Sequence, residues 1–224
     1  VITQLASRGY GYGSGVLSPT QDRFLINIPK NASSYMLDWT NRHGWTSVVI
    51  DNTSPLGDSI QEMIVCVRDP VQRWISGVGQ YLTSYVLNVT GAYSWETGPG
   101  PDDQQISADD FVADYNQVVE RLLFDNLSRL DDHVWPQTEF FENLLPSVPR
   151  KFFYIDQDFD QRIGEYLGFD PISNLDGNRA DSNPDTHKIQ TFIRHRLNTR
   201  PELEQRVRKA YVRDYDLIKQ VFTK

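Results

Sequence analysis

Lys30 and Arg68 are the two cations whose type and setting could hold a phosphate-like anion. Lys30 follows the apolar run "FLINI" (24–28) and Pro29, and the small polar residues of "NASSY" (31–35) come next. A strand that turns into a helix start aims several backbone N–H groups and the positive end of the helix dipole at one point. Lys30 adds a full charge there, the hydroxyls of Ser33 and Ser34 add donors, and Asn31, Ala32 and Tyr35 complete the loop. Arg68 ends a second apolar run, "MIVCV" (63–67), and "RDPVQRWIS" (68–76) continues it. Arg73 falls one turn into the helix that begins at Pro70, and Ser76 lies eight residues beyond Arg68. A strand-end guanidinium and a helical hydroxyl could then close on a second phosphate, with Asp69 as cap and arginine partner. Plainer readings are a surface lysine in an ordinary turn and an Arg-Asp pair at a helix start.

The loop around Lys30 does not have the form Gly-x4-Gly-Lys-Ser/Thr, because Ala32 and Ser33 follow the lysine and no glycine precedes it. That disfavours nucleoside triphosphate chemistry. Magnesium would need a carboxylate at a strand end, where Asp69 has another job. Cys66 is the single cysteine, and His43, His187 and His195 show no paired ligand spacing, so no metal site is expected.

The elements that must position these residues alternate. "FLINI", "TSVVID" (46–51), "MIVCVRD" (63–69) and "KFFYI" (151–155) read as strands, the middle two as strands buried on both sides. Between them, Val71, Trp74, Ile75, Val78, Leu82 and Tyr85 mark the apolar stripe of a helix from Pro70 to about residue 87. Residues 88–105 form a Gly- and Pro-rich loop, and a helix with a capping-box start follows at Ser107. "DFDQRIGEYLG" (158–168) reads as a helix closed by Gly168, and "RADSNPD" (179–185) as a loop. Amphipathic helices are expected over 186–197 and 201–222. The pattern predicts a single α/β domain over 1–224: a parallel sheet flanked by helices, with a P-loop-like strand-loop-helix at Lys30.

Length and composition agree with a packed fold: 224 residues, of which 39% are hydrophobic and 12% aromatic. The net charge of −8 is uneven, since residues 179–224 hold 11 Lys and Arg against 6 Asp and Glu. An acidic bulk disfavours nonspecific nucleic-acid binding, which depends on many cationic contacts to phosphates. No apolar stretch is long enough to span a bilayer, and no leader-like segment is visible. With one cysteine, a reducing, cytoplasmic compartment is the expectation. Four Asn-x-Ser/Thr sequons, at Asn31, Asn52, Asn88 and Asn126, read as chance matches.

Taken together and in this order, "IPKNASSY" (28–35) and "RDPVQRWIS" resemble the 5′-phosphosulfate loop and the 3′-phosphate motif of sulfotransferases that use 3′-phosphoadenosine 5′-phosphosulfate (PAPS). That family typically has Ile-Pro-Lys-x-Gly-x-Thr-Ser and Arg-Asp-Pro-x-x-Arg-x-x-Ser. The second pattern is matched fully, and the first carries Ala32 at the usual glycine. "DDHVWPQTEFF" (131–141) and "VRDYDLI" (212–218) look like segments of the carbohydrate branch, which includes the glycosaminoglycan sulfotransferases; Val134 stands where tryptophan is common. The resemblance implies sulfonate transfer from PAPS to a hydroxyl, expected on a saccharide, with 3′-phosphoadenosine 5′-phosphate as product and no metal. It implies a nucleotide site formed by Lys30 to Tyr35, Arg68, Arg73 and Ser76. Arg179 lies where related proteins return a loop toward the cofactor, and a solvated loop arginine fits it equally. Lys30 would stabilise charge on the leaving oxygen. His133 is the candidate base, oriented by Asp131 or Asp132, with Glu139 or Glu142 as alternatives. Trp95 and Trp135 could stack on adenine or a sugar face, or simply anchor the fold. Two other readings stay open: a small-molecule kinase with a variant loop, and a noncatalytic nucleotide-binding module.

Overall fold

The computed structural model describes residues 12–83, 124–125, 127–128, 130, 132–170 and 184–222. Arg179, Asp131, Trp95, the loop 88–105 and the helix expected from Ser107 lie outside them. The chain divides into two compact, discontinuous units: Val1–Pro70, Trp135–Gly177 and Val212–Lys224 in one, Val71–Val134 and Asn178–Tyr211 in the other.

The first unit is built on a five-stranded sheet, ordered β3-β1-β2-β4-β5. Its strands are β1 (Tyr12–Leu17), β2 (Arg23–Ile26), β3 (Thr46–Asp51), β4 (Glu62–Val67) and β5 (Arg150–Tyr154). β2, β4 and β5 run parallel to one another, whereas β1 is antiparallel to both β2 and β3. The expected parallel sheet is therefore mixed. What periodicity missed is β1, "YGSGVL", whose glycines give no strand signal. Packing explains one of them: a Cβ on Gly15 would lie 2.2 Å from the Leu25 carbonyl oxygen, so only glycine lets β1 seat against β2 here. β3, expected to be buried on both sides, is an edge strand, and Val49 is 49% exposed.

β4 is the central buried strand that its sequence promised, with Met63 to Val67 all at 2% exposure or less. Its side chains alternate between two cores. Met63, Val65 and Val67 join Phe24, Ile26, Phe141 and Leu144 on one face, with Leu217 and Ile218 of α6 (Val212–Phe222) packed alongside. Ile64 and Cys66 join Met36 and Trp39 of α1 (Ser33–Arg42) and Phe159, Ile163 and Leu167 of α3 (Phe159–Leu167) on the other. α3 ends as expected at Gly168, which takes the left-handed conformation with φ 73°.

The second unit is helical among the described residues: α2 (Pro70–Tyr81) from Val71 onward, α4 (Pro184–Thr199) and α5 (Pro201–Ala210). The stripe read from the sequence is buried as far as it is described, with Val71, Trp74, Ile75 and Val78 on α2 and Leu82 just after it between 0% and 5% exposed; Tyr85 and the expected helix end near 87 lie outside the described residues. The helix expected over 201–222 is two helices, broken at Tyr211. That ring is 1% exposed, and its hydroxyl donates to the Val134 carbonyl and, at 3.3 Å, to that of Leu127. None of the described helices is long and apolar enough to cross a membrane.

Candidate functional site

β2 and β4 are parallel neighbours, in register from Arg23 opposite Glu62 to Leu25 opposite Ile64, so the chain leaves both strands at the same edge of the sheet. In open sheets of this kind, ligands bind at the carboxyl ends of parallel strands. The Lys30 loop leaves β2 there, and Arg68 leaves β4 beside it. The Arg68 guanidinium donates to the Lys30 carbonyl at 3.4 Å, which makes the two turns direct neighbours.

The loop is wound tightly. Lys30 (φ 67°) and Ala32 (φ 56°) are both left-handed, while Asn31 between them is not among the positive-φ residues. Alternation of this kind can turn successive N–H groups toward one side, but here the Asn31 N–H is spent on the Ile28 carbonyl, which leaves the helix end to supply donors. Ala32 is also the N-cap of α1, with no side chain to cap it, and the first turn holds no acidic residue. The helix ladder begins with Met36 N donating to Ala32 O at 2.8 Å, so the N–H groups of Ser33 and Ser34 face out of the helix end. Ser34 is exposed and Ser33 half-buried. This donor set fits an anion.

The donors of Asn31 serve the protein itself. Its backbone N–H goes to the Ile28 carbonyl (3.1 Å), and its side-chain amide donates to the Cys66 carbonyl (2.8 Å) and Gln137 Oε1 (2.6 Å). Its Oδ1 is buried with no hydrogen-bond partner among the described residues; as an acceptor it does not suit an anion. Asn31 therefore shapes the loop. Tyr35 likewise turns an edge toward Trp39, with ring centres 5.3 Å apart.

Gln137 opens a short helix, Gln137–Phe140, and is fully buried. Its side-chain amide clasps the backbone of Arg68 at both ends: Arg68 N donates to Oε1 (2.8 Å), and Nε2 donates to Arg68 O (2.9 Å). Gln137 is in turn held by Asp214 of α6, buried to 1%. Asp214 Oδ2 accepts from Gln137 N (2.8 Å) and Nε2 (3.3 Å), and Oδ1 accepts from Thr138 N (3.0 Å) and Oγ1 (3.1 Å). Neither residue stood out in the sequence beyond its place in the Pro-Gln and Asp-Tyr segments. Next to Gln137, Trp135 packs partly buried against the core, 6.5 Å from the Phe140 ring, and Glu142 is paired with Arg213.

Arg73, Ser76 and His133, which the sequence singled out, lie in the helical unit. Arg73 is 1% exposed and donates to the Asp132 carbonyl at 3.4 Å; Ser76 follows three residues later on α2. His133 is 30% exposed, and its Nδ1 lies 3.2 Å from Asp132 Oδ1. A Cβ on Gly77 would sit 2.5 Å from the His133 carbonyl oxygen, so that glycine admits the 132–134 backbone onto α2. With Tyr211 holding the Val134 carbonyl and Trp74 Nε1 that of Leu127 (2.9 Å), the backbone around His133 is anchored on both sides. Among the described residues, no group of three or more His, Cys, Asp or Glu could hold a metal ion.

No protein-family model, curated protein or solved structure matches this chain.

Proposed function

We propose that this protein is a sulfotransferase that takes its sulfonate group from PAPS and passes it to a hydroxyl, most simply on a saccharide. The observation that carries this reading is the meeting of the Lys30 turn with the Arg68 strand end, joined at 3.4 Å and clasped by one buried amide. A nucleotide with charge at both its 5′ and 3′ positions calls for such a pair of cationic turns, and PAPS supplies an activated sulfonate when bound. Lys30 and the N-terminal end of α1 offer positive potential where charge would develop on the leaving phosphate oxygen. By residue type, His133, whose Nδ1 lies 3.2 Å from Asp132 Oδ1, is the side chain we assign to take the proton from an acceptor hydroxyl.

The test is a thermal-shift titration with 3′-phosphoadenosine 5′-phosphate against ATP with magnesium. The first ligand should stabilise the protein, by about 2.7 kcal/mol at a hundredfold excess over Kd, and the second should not. Lys30→Ala should lower turnover more than it weakens binding of the phosphoadenosine. Indifference of the wild-type protein to that nucleotide would reject the reading, and a response to ATP with magnesium alone would point to a kinase.

A binding module without turnover is the second reading, favoured by Ala32. Its methyl group occupies a left-handed position where glycine is usual in the resembled loop, beside the donors that would face the sulfonate. Binding of the nucleotide with no transfer from labelled donor across a set of hydroxyl acceptors would select it.

A further inference from the structure

We infer that Gln137, held in place by Asp214, is the positioning residue that sets the spacing between the two anion-facing turns. As far as the ligand is concerned, this rests on the reading above. The same carboxamide meets both turns. Oε1 receives the Arg68 N–H and the Asn31 side-chain N–H together, at 2.8 and 2.6 Å, while Nε2 reaches the Arg68 carbonyl at 2.9 Å. Asn31 is flanked by the left-handed residues Lys30 and Ala32, so fixing its side chain fixes the turn that carries the lysine. Arg68 has its peptide groups fixed on both sides, so its guanidinium departs from a defined point.

The carboxamide cannot rotate to exchange its two ends. A flip would place Nε2 against the Arg68 N–H and the Asn31 N–H, donor against donor, and would turn Oε1 toward the Arg68 carbonyl and the Asp214 carboxylate. Buried networks of this kind are stiff when every member is satisfied and costly when one is missing. Asp214 completes it. The carboxylate takes both the backbone and the side-chain N–H of Gln137, so α6, which begins near the end of the described residues, governs a loop at residues 30–32, far earlier in the chain. No charge from Gln137 or Asp214 needs to reach a ligand for this to work. The effect passes through the backbone of Arg68 and the side chain of Asn31.

Gln137→Met keeps the volume and the backbone bond to Asp214 but removes the clasp, and it is the variant to test in the full chain. Two measurements separate positioning from general stability: amide exchange by NMR at Arg68 against Val65, a buried residue of β4, and the Kd for 3′-phosphoadenosine 5′-phosphate. The Arg68 amide should exchange at least about tenfold faster with Val65 unchanged, and the Kd should rise about tenfold. Asp214→Asn should move both in the same direction, because its NH2 would face donors. Thr138→Ala removes a bond to the same carboxylate without touching Gln137, and should leave the Kd within about twofold. Equal acceleration at Arg68 and Val65, or an unchanged Kd despite selective exchange at Arg68, would overturn the inference. Selective exchange in a wild-type background that binds no phosphoadenosine would instead retain the clasp and sink the donor assignment. The two failures therefore look different.

Discussion

The two ends of the same parallel strands carry polar groups of opposite character. Where β2 and β4 begin, long side chains lie on one another: Tyr166 donates to Glu62, Lys151 Nζ sits 5.3 Å from the Tyr166 ring and 5.9 Å from that of Phe153, and Arg23 lies 5.6 Å over Trp45. The polar members of these contacts, Glu62, Tyr166, Lys151 and Arg23, are half-buried or exposed, and they lean on the buried rings of Trp45 and Phe153. Where the strands finish, Asn31, Gln137 and Asp214 are 0–2% exposed, and most of their bonds run to backbone. Charge at the first end solvates and tethers. At the second it is set by a framework that fixes where two turns go, as a ligand site requires and a solvated surface does not.

Arginines at the two ends should therefore respond differently, and this is the largest expected effect. Arg68→Ala removes a charge-assisted contact to the proposed nucleotide, so the Kd for 3′-phosphoadenosine 5′-phosphate should rise on the order of a hundredfold. Arg23→Ala should leave it within about twofold while lowering stability slightly. Isothermal titration of the two variants side by side decides the matter. Equal losses would mean that the ends differ in appearance only.

The same contrast governs how much could be read from the chain. Side-chain period and cap chemistry are local, so β4, the buried stripe of α2, the start of that helix at Pro70 and the Gly168 stop were legible. β1 was not, because its glycines matter through contacts with Leu25 and Leu144 that have no local signature. Tyr211 splits two helices for a similarly distant reason, its hydroxyl bonds to Val134 and Leu127. At the candidate site, Lys30 and Arg68 could be singled out because a cation after a buried strand is conspicuous, and the structure makes their turns neighbours. Gln137 and Asp214 could not be given a role: a buried amide among apolar residues looks like any loop glutamine until its partners, 69 and 77 positions away, are seen.

Ala32→Gly sharpens the picture of the finishing end with a smaller change. A non-glycine residue in the left-handed region carries a penalty of roughly 1–2 kcal/mol, partly offset because glycine has more freedom to lose on folding. The net expectation is a gain of about 0.5–1 kcal/mol, seen as a higher urea midpoint with an unchanged m-value. A loss of stability would mean that the packing of the Ala32 methyl at the margin of the Met36 and Trp39 core outweighs the backbone penalty.

The smallest effect belongs to the starting end. Tyr166→Phe should change stability at neutral pH by only about 0.5 kcal/mol, because the half-buried ring keeps its packing and one hydrogen bond is lost. At alkaline pH it should show more clearly. Burial, and then the hydrogen bond to Glu62, push the Tyr166 hydroxyl from 10 up to about 12, so the folded protein holds this proton more tightly than the unfolded chain. The associated stability is whole below pH 10 and is lost as pH rises from 10 through 12. Burial likewise pushes the Cys66 thiol from 9 up to about 12, which adds a decline beginning near pH 9. Urea midpoints measured from pH 8 to 11.5 should fall less steeply above pH 10 in Tyr166→Phe than in wild type, with the earlier Cys66 portion intact. Parallel curves for the two proteins would show that the Glu62 pair lacks even this much coupling to folding, and that the starting end of the sheet is decoration in the energetic sense as well.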